Sequence, residues 1–169
     1  MDIKQTVTRL FEAMSAGNAV QAKADARVLL DARAPLGKHW LSVAQAMSSL
    51  GEISLSRLAL QGFVASGPAS SDSIVKAAAL LSEGRRLDDA LSLLNSCHQR
   101  DPDNPTLNHF LGTLNQQLGN VERAEQYLKA SLARAPAHGI SWLTLSAQKD
   151  FSQDEASYQA LCDVAQKIS

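Results

Sequence analysis

Residues 105–138 read PTLNHFLGTLNQQLGNVERAEQYLKASLARAPAH, and this stretch decides the fold class. Its second half places Ala124, Leu128 and Leu132 on one face of a helix. Gly119 stands between the two halves, where a helix ends most easily in the left-handed conformation that glycine tolerates. Pro136 stops the second helix because it has no amide hydrogen to donate. The stretch therefore predicts two helices joined by a short turn.

The same pattern recurs along the chain with a period of 34 residues. Prolines and turn glycines keep the interval, as do the two tryptophans three periods apart and two series of small residues. These residues are Pro68, Pro102 and Pro136; Gly17, Gly51 and Gly119; Trp40 and Trp142; Ala22, Ser56, Ala90 and Ala124; and Ala44, Ala78, Gly112 and Ser146. One helix pair cannot bury its apolar face alone, so repeated pairs are expected to stack. A coiled coil is disfavoured, because the prolines would break its helices.

These residues fall where the tetratricopeptide repeat (TPR) family places its signature, and the sequence resembles that family over most of its length. Departures are small: Gly84 arrives one residue early in its unit and Pro35 one residue late. The resemblance implies an all-α, right-handed α-solenoid of antiparallel helix pairs, the TPR superhelix, with about ten helices. We expect four helix pairs over residues 1–138 and a divergent fifth pair over 139–169 that caps the C-terminal end. The predicted helices are 3–16, 19–33, 38–50, 53–66, 71–83, 87–100, 105–118, 121–134, 139–149 and 153–168.

The fifth pair supports a second interpretation. It resembles the junction at which bacterial proteins join TPR repeats to a sulfotransferase domain. The residues that carry this resemblance are Trp142, Leu145, Lys149, Phe151, Asp154 and Leu161. The phosphate-binding loop of a sulfotransferase does not occur in the 169 residues. Under this interpretation the chain is the N-terminal TPR domain of a larger sulfotransferase and recruits or positions its protein substrate.

Composition excludes several classes of partner. The net charge of −1 gives no reason to expect nucleic acid or an anionic membrane as a ligand. No apolar run approaches the roughly 20 residues that cross a bilayer, and the N-terminus lacks the apolar core of a secretory signal. We therefore predict a cytoplasmic protein. Cys97 and Cys162 have no partner motif nearby and are expected to be reduced, mostly buried thiols.

Residue patterns that carry chemistry do not occur. The histidines His39, His98, His109 and His138 have no metal-ligand spacing, and His39 and His138 are expected to be exposed at the starts of units. Neither a phosphate loop nor a nucleophile motif is present. We predict that the chain is not an enzyme and that it holds no cofactor and no metal.

Function in this architecture is expected on the concave surface, which the first helix of each unit lines. By resemblance to the family, the partner-binding residues are Lys38, Leu41, Gln45, Val75, Lys76, His109, Phe110, Thr113, Gln117 and Leu143. Leu41, Val75, Phe110 and Leu143 would form an apolar stripe, although several of them would instead pack between units. The clamp that some TPR proteins use for peptide carboxylates is not kept, since only Lys76 agrees with it.

The sequence thus predicts a non-catalytic scaffold that binds a peptide or protein segment, either alone or as part of the larger sulfotransferase. We expect a monomer, or a weak homodimer through the solenoid ends. Asn108 and Asn115 stand where the repeat has large apolar residues, so both need hydrogen-bond partners if they are buried.

Overall fold

The computed structural model describes residues 2–67, 69–147 and 154–168 and shows only helices, turns and irregular segments in these ranges. This confirms the predicted all-α class. The helices are α1 (Ile3–Ser15), α2 (Ala19–Asp31), α3 (Trp40–Ser49), α4 (Ile53–Ala65), α5 (Ser71–Glu83), α6 (Leu87–His98), α7 (Pro105–Gln117), α8 (Val121–Arg134), α9 (Gly139–Ser146) and α10 (Glu155–Ile168). A short 3-10 helix, Gly37–His39, precedes α3.

Most helix starts coincide with the predicted residues, because side-chain caps and prolines act locally. Asn104, for example, accepts a hydrogen bond from the amide of Leu107, and Pro105 occupies the first turn of α7. The exception among the early helices is α3, which begins at Trp40, since Gly37 (φ +55°) and the next two residues form the 3-10 turn. The predicted end of the ninth helix at 149 and the start of the tenth at 153 lie outside the described residues.

In three units, the first helix is followed by a glycine in the left-handed conformation, as the spacing predicts. Gly17, Gly51 and Gly119 have φ of +70°, +72° and +78°. In the unit 71–104 the early glycine, Gly84, is not left-handed, and Arg85 takes that conformation with φ +57°. The turn is therefore kept in space, and a residue with a side chain adopts the backbone conformation that glycine supplies elsewhere.

The series of small residues permits close contact between the two helices of a unit. Ala22, Ala90 and Ala124 are fully buried. In α7, a Cβ atom on Gly112 would lie 2.7 Å from Leu128 Cγ of α8. Only glycine fits there unless Leu128 moves.

The chain forms two compact units, Met1–Gly84 and Arg85–Ser169, each with its own core. The first core contains Leu10, Leu29, Val43, Met47 and Phe63, and the second contains Leu94, Leu107, Leu111, Leu128 and Leu145.

An ion pair is built into the first unit between α1 and α2. Asp25 is buried, and its carboxylate oxygens accept hydrogen bonds from Arg9 Nε at 2.9 and 3.0 Å and from Gln21 Nε2 at 3.0 Å. Arg9 Nη2 also contacts Asp25 Oδ1. The hydrogen bonds from Arg9 are the main reason that the pKa of Asp25 lies below its usual value.

The C-terminal helices pack on α8 in the second unit. Trp142 and Leu145 of α9 join Leu128 and Leu132 in one apolar cluster, and Leu161 of α10 packs against it. This contact agrees with a capping role for residues 139–169, which stays a prediction. Within the described part of the chain, no helix is both long enough and apolar enough to cross a membrane.

Candidate interaction surfaces

The ten predicted partner-binding residues divide into three groups by exposure. Lys38, Gln45, Lys76, Gln117 and Leu143 are exposed; Phe110 and Thr113 are partly buried; Leu41, Val75 and His109 are buried. The predicted set is therefore not one continuous exposed surface. The two units offer separate sets of residues.

Leu41 and Val75 were predicted either to lie in an apolar binding stripe or to pack between units, and the structure shows both buried. Leu41 lies on α3 and Val75 on α5, and these two first helices are in direct contact. Both side chains are buried in the first unit, as apolar residues at a helix–helix contact are expected to be. The apolar stripe predicted from the sequence therefore lacks two of its four members, and Phe110 and Leu143 remain.

In the first unit, exposed polar residues remain on these helices. Lys38 precedes α3, Gln45 lies on α3 and Lys76 on α5, and all three are exposed. Neither lysine forms an ion pair within the described residues. Both ammonium groups are therefore available to a carboxylate from outside the chain.

In the second unit, His109 is buried at the centre of a polar cluster, which corrects the prediction that it is exposed. His109 Nδ1 lies 3.0 Å from Ser141 Oγ, and His138 Nδ1 lies 2.6 Å from the same oxygen. Ser141 Oγ is also 3.1 Å from Ser131 Oγ, whose hydroxyl donates to the carbonyl of Pro105 at 2.8 Å. His138 is partly buried by these contacts, so its predicted exposure is also wrong. His109, Ser131, His138 and Ser141 are called the Ser–His cluster below.

The proton arrangement of the Ser–His cluster follows from its acceptors. The carbonyl of Pro105 can only accept, so the single hydroxyl proton of Ser131 points to it. Ser131 Oγ then accepts from the hydroxyl of Ser141, and both histidines must donate Nδ1–H to Ser141 Oγ. Every hydroxyl proton in this arrangement has an acceptor, as buried polar groups require.

Burial lowers the pKa of His109 below its usual value, and the charge of nearby His138 acts in the same direction. The two rings lie edge to face with centroids 5.0 Å apart. The neutral form of His109 is therefore favoured. With Ser141 fully buried, the cluster does not present a nucleophile to a substrate.

Helix α9 exposes two large aliphatic side chains in the second unit. Ile140 and Leu143 are 61% and 70% exposed. Phe110 of α7 is only partly buried and lies edge to face with His109, at a centroid distance of 5.6 Å. The hydrogen bond from His109 to Ser141 joins α7 to the start of α9, and Phe110 and Ile140 are the sequence neighbours of these two residues. We call Phe110, Ile140 and Leu143 the α7–α9 patch.

Asn108 and Asn115 are buried and fully explained by hydrogen bonds. Asn108 Nδ2 donates to the Pro102 carbonyl at 2.8 Å, so its Oδ1 accepts from His98 Nε2 at 3.1 Å. Asn115 Nδ2 donates to the Leu111 carbonyl at 2.8 Å, and Asn120 Nδ2 lies 3.4 Å from its Oδ1. Their role is structural: they pair polar groups inside the second unit.

No group of three or more His, Cys, Asp or Glu side chains is arranged to hold a metal ion among the described residues. Cys97 is buried, Cys162 is partly buried, and neither forms a disulfide.

Comparisons with known proteins agree with this geometry. Residues 76–149 match the tetratricopeptide repeat family model. The structure superimposes on MamA 41-end from Desulfovibrio magneticus RS-1 with a TM-score of 0.72 over 97% of this chain and 93% of that one, at 12% identity. The chain has the TPR fold. The all-α solenoid class is thereby confirmed.

Two further structures are similar at the same level. The match with Pseudomonas aeruginosa PilF covers 97% of this chain and 75% of the PilF chain, at 18% identity and with a TM-score of 0.68. YrrB is described as a TPR protein with an unusual peptide-binding site. The match with it covers 95% of this chain and 81% of the YrrB chain, at 14% identity and with a TM-score of 0.65. At these identities the likeness establishes the TPR fold and not a shared function. No curated protein matches the sequence.

The sulfotransferase resemblance receives no support from these comparisons. Two of its residues, Lys149 and Phe151, lie outside the described residues. Of the others, Trp142 and Leu145 are core residues of the cluster on α8, and Leu161 packs against it. Asp154 lies 3.1 Å from Lys129 Nζ of α8. Each of these four residues therefore has a packing or ion-pair role within the described residues.

Proposed function

We propose that this chain is a non-catalytic protein-interaction scaffold that binds a peptide segment of a partner protein on the first helices of its repeats. The observation that carries the proposal is the exposure of Ile140 and Leu143 on α9, a helix that the contact between His109 and Ser141 joins to α7. Large aliphatic side chains exposed together on one helix are typical of a surface that a partner covers. The peptide-binding site for which YrrB is described supports the same use of the fold.

The chemistry of the α7–α9 patch defines the segment that it would bind. Phe110, Ile140 and Leu143 suit an apolar side chain of the partner, and the exposed amide of Gln117 together with Thr113 would contact its backbone. An aromatic residue in a partly enclosed position is the usual anchor of such an interface. We therefore expect a segment with at least one large apolar residue flanked by polar ones.

Lys38 and Lys76 of the first unit are proposed as secondary contacts. They would pair with carboxylates of the same partner or of another one. Because exposed ion pairs contribute little free energy, we expect these lysines to change association rates more than affinity. The chain is proposed to act as a monomer or a weak homodimer in the cytoplasm.

The test is a selection of random 12-residue peptides on the full chain, followed by affinity measurements on variants. Leu143→Glu introduces a charge into the α7–α9 patch and is expected to weaken the selected peptides by about tenfold or more, as loss of an interface anchor does. Val121→Glu is the matched control, since Val121 is also exposed in the second unit but lies on α8. Phe110→Ala should behave like Leu143→Glu.

Peptides that bind Leu143→Glu and Phe110→Ala as tightly as the unchanged protein would remove the α7–α9 patch from consideration. Circular dichroism of each variant shows whether the helices are retained. Sedimentation of the unchanged chain measures the oligomeric state, and a stable higher oligomer would contradict the monomer or weak dimer.

A further inference from the structure

A cleft lies in the first unit on the side of the second helices α2 and α4. Its walls come from the end of α2, the segment 33–37 and one face of α4. The volume is about 650 Å³, which is within the roughly 300–1,000 Å³ of small-ligand pockets. None of the ten residues predicted for partner binding lines it, so the cleft is independent of the function proposed above.

A buried hydrogen-bond donor forms part of the cleft. Trp40 lines it and is only 5% exposed. In residues 2–67, 69–147 and 154–168, Trp40 Nε1 has no hydrogen-bond acceptor. Gly62, another lining residue, lies over the pyrrole face of the indole, because a Cβ atom there would be 2.9 Å from Nε1 and 3.0 Å from both Cδ1 and Cε2. Buried N–H groups are normally paired, and an acceptor that enters the cleft beside Gly62, water included, would pair this one.

Trp142, three repeats later, shows what the same position does when it is paired. Its Nε1 donates to the carbonyl of Pro136 at 2.8 Å. The residue equivalent to Pro136 in the first unit is Ala34, whose carbonyl accepts from the amide of Leu36 at 2.8 Å. The carbonyl that pairs the later indole thus has a backbone donor in the first unit, and within the described residues no hydrogen bond joins it to Trp40.

The backbone of segment 33–37 also brings a cation to the cleft. Arg33 adopts a left-handed conformation with φ +48°, and Gly37 another with φ +55°. Arg33 is exposed, lines the cleft and forms no ion pair within the described residues. Its guanidinium and the indole N–H of Trp40 can only donate hydrogen bonds, whereas Leu30 and Leu58 provide apolar walls.

We propose that this cleft is a binding site for a carboxylate carried on an apolar group. The carboxylate would accept from Trp40 Nε1–H and from Arg33, and the apolar group would lie between Leu30 and Leu58. Gln61 offers a further amide donor. Such a carboxylate comes from a free aliphatic acid or from the C-terminus of a peptide that ends in an apolar residue.

The carboxylate of Asp31 would repel a bound carboxylate, so a substitution at Asp31 tests whether charge contributes to binding. Its exposed carboxylate also lines the cleft. Like charges repel, so Asp31→Asn is expected to tighten binding of the carboxylate by about threefold, a modest effect because exposed charges are screened.

The experiment uses the indole N–H signals of the ¹⁵N-labelled full chain. Two tryptophans give two cross-peaks, and Trp142→Phe assigns them. The probes are 4-methylpentanoate and N-acetyl-Gly-Leu, which carry a carboxylate on similar branched apolar groups, with N-acetyl-Gly-Leu-amide as the neutral control. We expect a saturable downfield shift of the Trp40 signal with the acids, while the Trp142 signal stays in place.

Variants separate the site from a general effect on the protein. Arg33→Gln and Trp40→Phe are each expected to weaken binding about tenfold, the effect of losing one hydrogen bond to a charged group. Binding to Trp40→Phe is followed by the backbone amide of Gly62. Arg27→Gln is the matched control, because Arg27 is an exposed arginine of α2 that does not line the cleft.

The two acids also distinguish the sources of the ligand. Tighter binding of N-acetyl-Gly-Leu indicates a peptide C-terminus, and equal or tighter binding of 4-methylpentanoate indicates a free acid. The proposal is overturned if neither acid gives a saturable shift up to about 10 mM, if the amide binds as well as the acids, or if Arg33→Gln binds as tightly as Arg27→Gln. Because Arg33 is exposed, its substitution tests the site even where Trp40→Phe disturbs folding.

Discussion

In the described chain, the turn between the two helices of a unit usually contains a left-handed glycine. In one unit, Arg85 takes this position instead. Its φ of +57° matches those of Gly17, Gly51 and Gly119, which stand at the same repeat position. Arg85 is exposed and, unlike Arg86, forms no ion pair within the described residues. The substitution Arg85→Gly therefore changes the backbone preference and removes no described interaction.

The magnitude follows from two opposing effects. A left-handed backbone costs an L-residue about 1–2 kcal/mol, and glycine avoids this cost. Glycine also gains conformational freedom in the unfolded chain, which lowers the free energy of unfolding by about 0.5–1 kcal/mol. We expect Arg85→Gly to raise the free energy of unfolding by about 0.5–1 kcal/mol. The reciprocal change, Gly119→Ala at φ +78°, should lower it by about 1 kcal/mol.

Equilibrium unfolding in urea, followed by circular dichroism, measures both effects. For an m-value of about 2 kcal/mol/M, the midpoint of Arg85→Gly should rise by about 0.3–0.5 M at unchanged m. Arg85→Ala is the matched control: it removes the guanidinium, keeps a Cβ atom and should stay within about 0.5 kcal/mol of the unchanged protein. A midpoint for Arg85→Gly at or below that of Arg85→Ala would refute the reasoning.

Three further predictions concern the cores of the two units. Gly112→Ala should lower the free energy of unfolding by about 1 kcal/mol, because the new Cβ would lie 2.7 Å from Leu128 Cγ. This clash outweighs the higher helix propensity of alanine. Urea unfolding measures the effect, and an increase in stability would contradict the prediction. The lowered pKa of Asp25 means that the stability from its pairing with Arg9 is complete above the unfolded-state pKa of about 3.9 and is lost as pH falls through the lower folded-state value. Unfolding measured between about pH 2 and 6 should show this loss, and Asp25→Asn should remove it. The lowered pKa of His109 means that the free energy of unfolding falls as pH drops below about 6.5, because the unfolded chain binds the proton more tightly. NMR titration of the His109 ring measures the pKa directly. The variant His109→Gln should lack this fall in stability.

The helices were predictable because their ends depend on local chemistry. Glycine at a left-handed position and an asparagine or proline at a helix start act through their own backbone and the next few residues. The sequence places these residues at a regular interval, so α1 and α8 begin where the pattern predicts. The early Gly84 is instructive: the turn stayed at its repeat position and Arg85 adopted the unusual φ. The repeat geometry therefore outweighed the preference of one residue.

Exposure was harder to predict because it depends on contacts between elements. Leu41 and Val75 were expected in an apolar binding stripe or packed between units, and both are buried, on helices α3 and α5, which contact each other. His109 is buried with Ser131, His138 and Ser141, residues that no spacing rule connects. The only sequence signal was the pair His138 and Ser141, three residues apart at the start of a helix and thus on one side of its first turn.

The amino-acid order was enough to specify the helix pairs, their period and the small residues between them, since each rests on steric preferences of single residues or close neighbours. The tertiary contacts alone decided which side chains remain accessible. Leu41 and Val75 are buried, and Leu143 is exposed. The indole of Trp40 has no hydrogen-bond acceptor in the described chain. Burial is a property of two packed surfaces, and a periodic pattern describes only one of them.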